Sequence, residues 1–284
     1  MRSTTIILAL GSALLPVASG AQQWRTIESA RQRTGNQQTS VSLTFAGGKF
    51  DLHPLQGGLL YRMQLHYDEQ VADAVHEYDA DDHRLTLGLE KAEMGWRALR
   101  SMKNEEKGSM DVGLSPGVPL DLEVNLGGAQ ADIELGGLQL KTLKMHVGLV
   151  GGTVRFSTPN LIPMDELSID VGLGGVEFAD LGNANVTEIN INGGMDGVAL
   201  NFGQHVMRSV KINAAVAFGG LKIQVPESVG VSVQAETKLA SFKPQGFTQM
   251  NGAWFTPNWN QTSTHVTIVA NAALGSLEVS HSDP

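Results

Sequence analysis

The segment Gly113-Leu114-Ser115-Pro116-Gly117 has the spacing of a nucleophile elbow, in which a serine is held on a strained strand-to-helix turn. The chemistry fails at the next residue. The oxyanion of an acyl intermediate takes a backbone N–H from the position after the serine, and Pro116 has none. Ser115 is therefore expected in a plain turn. Asp79-Ala80-Asp81-Asp82 begins like a calcium loop, with Glu90 at the twelfth position. Its fifth and sixth positions are His83 and Arg84, and the sharp turn at the sixth requires glycine. A solvated loop is the expectation.

The eight histidines supply no short His-x-x-x-His pair: His76 and His83 are seven apart, and His53, His146 and His205 stand singly in apparent strands. Asp121 with Glu123 and Asp132 with Glu134 each bracket an inward aliphatic, so both acids of a pair point outward. Glycosidase chemistry needs two carboxyls across a cleft, one kept protonated by burial. No catalytic residue, metal ligand or cofactor is assigned. One constellation remains, Trp254-Phe255-Thr256-Pro257-Asn258-Trp259. Trp254, Phe255 and Trp259 are read as a cover for one end of the fold or as a surface for a partner or a sugar.

The elements that position these residues follow from glycine. Between Gly113 and Gly230 there are 20 glycines in 118 residues, more than twice the usual frequency of about 7%. Doublets fall between stretches of alternating apolar residues. Leu122, Val124 and Leu126 precede Gly127-Gly128; Ile169, Val171 and Leu173 precede Gly174-Gly175; Val216 and Phe218 precede Gly219-Gly220. The second doublet positions, 128, 152, 175, 197 and 220, are separated by 24, 23, 22 and 23 residues. Period-2 alternation makes strands with one buried face, and glycine between them marks a bend or a close backbone approach. A unit this short cannot offset its own ordering entropy, so units must stack. The predicted fold is all-β, a stacked, single-stranded β-solenoid built from Gly-rich repeats of about 23 residues.

These motifs resemble the toastrack proteins, related to the C-terminal β domain of LiaF-like cell-envelope stress proteins. Leu43-Thr44-Phe45-Ala46-Gly47-Gly48-Lys49-Phe50-Asp51-Leu52 with Leu59-Leu60-Tyr61 is similar to the toastrack N-terminal module. The run from Asp121 to Val279, ending in Gly275-Ser276-Leu277-Glu278-Val279, is similar to the LiaF-type C-terminal module. The resemblance implies a β architecture and a link to regulation of a membrane histidine kinase. LiaF-like proteins reach that kinase through membrane helices, and here an apolar stretch at Ile6 to Val17 reads instead as a cleavable leader.

The expected organisation is a leader at 1–21, a disordered polar segment at 22–39, a toastrack-like β module at 40–110 and a LiaF-like β-solenoid at 111–284. Within it, 91–110 is charged and reads as an exposed helix-like piece or loop. Losing Arg2 with the leader takes the formal charge from −9 to −10, which disfavours nucleic acid as a partner. With no cysteine, the fold must hold by burial and backbone pairing. The expected protein is a non-enzymatic, extracytoplasmic scaffold, not integral to the membrane once processed, whose partner is an unidentified envelope protein or polymer. A carbohydrate-binding or carbohydrate-active β-solenoid is the alternative. An outer-membrane barrel is disfavoured by an aromatic content of 6%.

Overall fold

The computed structural model describes residues 23–90, 108–194, 197–237, 242, 244 and 246–281. The expected leader, and residues 91–107 of the charged stretch, lie outside them. The described chain is all-β, apart from one 3-10 turn at Leu181–Ala184. Its strands are β1 (Trp24–Gln32), β2 (Thr39–Pro54), β3 (Leu59–Asp68), β4 (Asp73–Asp79), β5 (Arg84–Glu90), β6 (Ser109–Leu114), β7 (Pro119–Glu134) and β8 (Gln139–Arg155). They continue as β9 (Met164–Ala179), β10 (Val186–Gly193), β11 (Val198–Asn201), β12 (Val210–Val225), β13 (Gly230–Thr237), β14 (Thr248–Met250), β15 (Ala253–Phe255) and β16 (His265–His281). All sixteen belong to one sheet. No helix among the described residues is long and apolar enough to cross a membrane.

The middle of the sheet is a parallel stack in the order β2, β7, β8, β9, β10, β12, β16, β13, with β11 continuing the layer of β10 between β9 and β12. Asp121 pairs with Thr142, Thr142 with Glu166, Glu166 with Glu188 and Glu188 with Lys211. These layers are 21, 24, 22 and 23 residues apart, so the first step differs from the doublet spacing. Gly151 stands beside Gln130, not beside a glycine of β7. The glycine that answers Gly127 is Gly148. A Cβ on Gly148 would lie 2.6 Å from the Gly127 carbonyl oxygen, and one on Gly194 would lie 2.5 Å from that of Gly172. Close backbone approach, rather than turn geometry, therefore selects glycine along Gly127, Gly148, Gly172 and Gly194.

Burial explains the long strands. In β9, Leu167, Ile169 and Val171 are buried, and after the glycines the buried residues become Val176 and Phe178. The same shift from one parity to the other separates Val216 from Leu221 in β12 and Val147 from Val154 in β8. Each strand thus turns at its glycines while keeping the same side toward the core. Phe45, Phe50, Phe156, Phe178 and Phe202 are fully buried there, each contributing about 1.5–3 kcal/mol by leaving water. Between layers, Asn160 is buried: its Nδ2 donates to the carbonyls of Leu140, Ile162 and Ala184, and its Oδ1 accepts from the Leu140 N–H.

At the N-terminal end the sheet divides. The first half of β2 pairs with β5, which pairs with β4; the second half pairs with β6, then β3, then β1. The Arg31 guanidinium lies 4.1 Å from the Tyr78 ring centroid and joins the outer strands of the two branches. Residues 24–32 are therefore strand, which corrects the disorder expected across 22–39. The inward positions of β1 are Ile27, Ser29 and Arg31, so hydropathy alone hides them. Ser29 Oγ bonds Tyr61 Oη at 2.9 Å, and Trp24 stacks on His66 at 4.9 Å. The division expected at 110/111 also falls within a continuous sheet, since β2 pairs with β7 from Thr39 to Leu52.

Candidate functional site

The C-terminal end of the stack carries the aromatic residues. An edge strand such as β13 exposes unpaired backbone groups and must be covered. On one side β13 pairs with β16; on the other, Ser232 and Val233 pair antiparallel with Phe255 and Trp254 of β15. β15 folds back on β14 through Asn251-Gly252, both with positive φ (51° and 83°), the signature of a type I′ turn. Thr256 latches the hairpin: its N–H donates to the Val231 carbonyl at 3.0 Å, and its Oγ1 accepts from the Val231 N–H at 2.9 Å. Asn258 Nδ2 adds bonds to the carbonyls of Glu227 and Val229, at 2.7 and 3.2 Å.

This frame holds two groups of rings. Trp254 packs on the buried core and meets Phe242 edge-on at 6.5 Å. Phe255 meets Trp259 edge-on at 5.3 Å, and Trp259 lies against His265 at 4.3 Å. His265 Nε2 donates to the Trp259 carbonyl oxygen at 2.9 Å, which fixes the ring's orientation. Trp254, Phe255 and Trp259 are all half-buried, so each keeps some ring surface toward water on a rigid support. Such rings anchor a protein partner or stack on a sugar at small entropic cost.

The remaining sequence candidates are dispersed. Ser115 is buried in a turn, its Oγ accepting from the Gly117 N–H at 3.2 Å. Asp79 Oδ1 accepts from the N–H groups of Asp81 and Asp82 at the β4–β5 turn. Glu90 pairs with Asp73 at the opposite end of that hairpin, so the two ends of the calcium-loop pattern lie apart. Among the described residues no group of three or more His, Cys, Asp or Glu is placed to hold a metal ion. His53 and His146 lie in strands beside Asp111 (3.4 Å) and Asp170 (3.0 Å), whereas His205, expected in a strand, lies in the exposed connection between β11 and β12. Asp121 and Glu123 point to the outer face, bonding Thr142 and Asn125.

Sequence reasoning missed a second surface. Leu173 and Phe218, read as part of the inward alternation, are exposed by 45% and 52%, and Leu149 by 44%. The turn at the glycines brings them outward. The readable signal is the parity break, since each continues the parity of residues before the glycines and not that of residues after. Beside Phe218, Gly197, Ala199, Gly220 and Ser276 floor a shallow depression of about 250 Å³ edged by Lys222 and Glu278.

No curated protein matches the chain. Among solved structures it is similar to a candidate cell adhesion protein from Clostridium sporogenes, at 16% identity and a TM-score of 0.45, over 92% of this chain and 100% of that one. It is also similar to a candidate adhesin from Bacteroides fragilis, at 12% identity and a TM-score of 0.45, over 91% and 98% of the two chains. The family model for the N-terminal domain of toast_rack (DUF2154) matches residues 17–160, just over half of the sequence and the stretch that runs from β1 into the parallel stack. The chain belongs to the toast-rack family.

Proposed function

We propose that this protein is a non-enzymatic, exported scaffold of the cell envelope: a β-solenoid that holds a recognition surface for another envelope component at its C-terminal end. The observation that carries the reading is the half-buried run of rings Phe255, Trp259 and His265 beside a hairpin that Trp254 seats on the core and Thr256 latches. A bare end cover needs its apolar surface inward. Here Trp254 serves that purpose, while Phe255 and Trp259 contact each other and remain partly open. The leader-like residues 1–21 support export. The resemblance of the run from Asp121 to Val279 to LiaF-type modules, read from its sequence motifs, is the ground for proposing a part in envelope stress sensing. Carbohydrate binding is the second reading, favoured by the pairing of Trp259 with His265, a ring face beside a polar edge.

The test is crosslinking of the tagged full chain in the intact envelope, with Trp259→Ala in parallel. Capture of a discrete envelope protein by the wild type, lost in the variant at an unchanged unfolding midpoint, supports the scaffold. Capture of glycan alone moves the assignment to carbohydrate. Specific turnover of an envelope polymer, abolished by a point change, overturns the non-enzymatic reading.

A further inference from the structure

The chain contains two Asn-Gly pairs, Asn192-Gly193 and Asn251-Gly252. In such a pair the glycine nitrogen, with no side chain to crowd it, can reach the asparagine amide carbon and close a succinimide ring. The fold treats the two pairs differently. Asn192 lies inside β10, where its Nδ2 donates to Asp170 Oδ1 at 2.8 Å. Gly193 pairs with Val171 on one side and Val216 on the other, so this backbone swings only if the stack opens. Asn251 and Gly252 are both exposed at the tip of the β14–β15 hairpin. Nothing lies within 4 Å of where a Cβ on Gly252 would stand. The supporting strand is short, and all three residues of β14 are exposed. Such a tip opens at little free-energy cost, whereas β10 opens only with its neighbours.

We propose that Asn251 is a spontaneous deamidation site, and that its conversion to isoaspartate unfastens the hairpin that carries Trp254 and Phe255. The consequence for function rests on the recognition reading above: the aromatic end loses its partner as the protein ages. The Gly252 nitrogen attacks the Asn251 side-chain carbonyl carbon. A C–N bond forms, the C–N bond of the amide breaks, and the displaced nitrogen takes the Gly252 N–H proton and leaves as ammonia. Water then opens the succinimide at one of its two carbonyls, breaking one C–N bond and leaving a carboxylate. Opening at the side-chain carbonyl gives aspartate, which the turn still accepts. Opening at the main-chain carbonyl gives isoaspartate, which routes the backbone through Cβ and adds one atom to the turn. A two-residue turn with positive φ at both positions fixes the register of the strands it joins. The added atom breaks the pairing of Met250 with Ala253, and with it that of Gln249 with Trp254 and Thr248 with Phe255.

The test ages the full chain in neutral and in mildly alkaline buffer and maps the products by mass spectrometry, with Asn251→Gly in parallel. Gly-Gly is a sequence that this turn accepts, and it has no side-chain amide. Asn251 is expected to convert at least about tenfold faster than Asn192, as the difference between tip and stack opening requires. Its conversion should be faster in the alkaline buffer, because the attacking nitrogen must lose its proton. Amide exchange at Trp254 should then accelerate in aged wild type and keep its fresh rate in aged Asn251→Gly. Equal conversion at the two sites, no conversion at Asn251, or isoaspartate without faster exchange at Trp254 overturns the proposal. Whether fresh protein captures an envelope partner decides the recognition reading, so the two fail separately.

Discussion

Gly148 lies so close beside Gly127 that a methyl group on it would sit 2.6 Å from the Gly127 carbonyl oxygen. Both partners in that contact are backbone of the paired strands β7 and β8, so neither can move aside without breaking ladder bonds. Gly148→Ala is expected to cost about 1–3 kcal/mol, in the range of overpacked cores. Three residues on, the nearest atom to a Cβ on Gly151 is the flexible Gln130 side chain at 3.6 Å, so Gly151→Ala should stay within about 0.5 kcal/mol. Urea unfolding midpoints of the two variants make the comparison.

Asn160 is the polar joint between layers. Its side chain satisfies backbone groups of Leu140, Ile162 and Ala184 where water does not reach. Asn160→Leu strands several of them, each costing about 1–3 kcal/mol. A loss of at least about 3 kcal/mol is expected in chemical unfolding, larger than for any change in the aromatic loop.

Thr256→Val removes the hydroxyl that accepts the Val231 N–H while keeping the side chain's shape. The end hairpin should loosen locally, with amide exchange accelerating at Val231 and Trp254 and unchanged in β7 to β9. Uniform acceleration across the stack would show that the hairpin and the stack open together.

Lys49 has an alkaline signature. Its hydrogen bond to Asp51, together with that carboxylate's charge, raises its pKa above the usual lysine value, and Asp132 and Asp111 add to the effect. A raised folded-state pKa gives stability that is fully present below the ordinary lysine value of 10.5 and fades as pH rises through the higher folded value. The side chain is fully exposed, so the effect is small and screened by salt. Lys49→Gln should flatten the pH dependence of the unfolding midpoint above pH 10.5 and leave it unchanged at neutrality.

Alternation made the β architecture legible, because a strand with one face buried must write its period into the sequence. The layer register was less legible. The doublets Gly127-Gly128 and Gly151-Gly152 look equivalent, yet packing pairs Gly127 with Gly148, since what is selected is backbone approach and not the doublet itself. β1 was hidden because it faces the core with Ser29 and Arg31, whose partners Tyr61 and Tyr78 lie far away in sequence. The aromatic end was visible as composition, and Asn251-Gly252 was a readable hairpin signal within it. Its attachment was not readable, because Thr256 and Val231 become neighbours through the pairing of β13 with β15.

The most direct measurement places a photo-reactive side chain at Phe255 and, separately, at exposed Val71 near the other end of the stack, and irradiates the intact envelope. A discrete adduct from position 255 that is missing from position 71 is the predicted result. The same adducts from both positions, or none from 255, would contradict a recognition surface at the aromatic end.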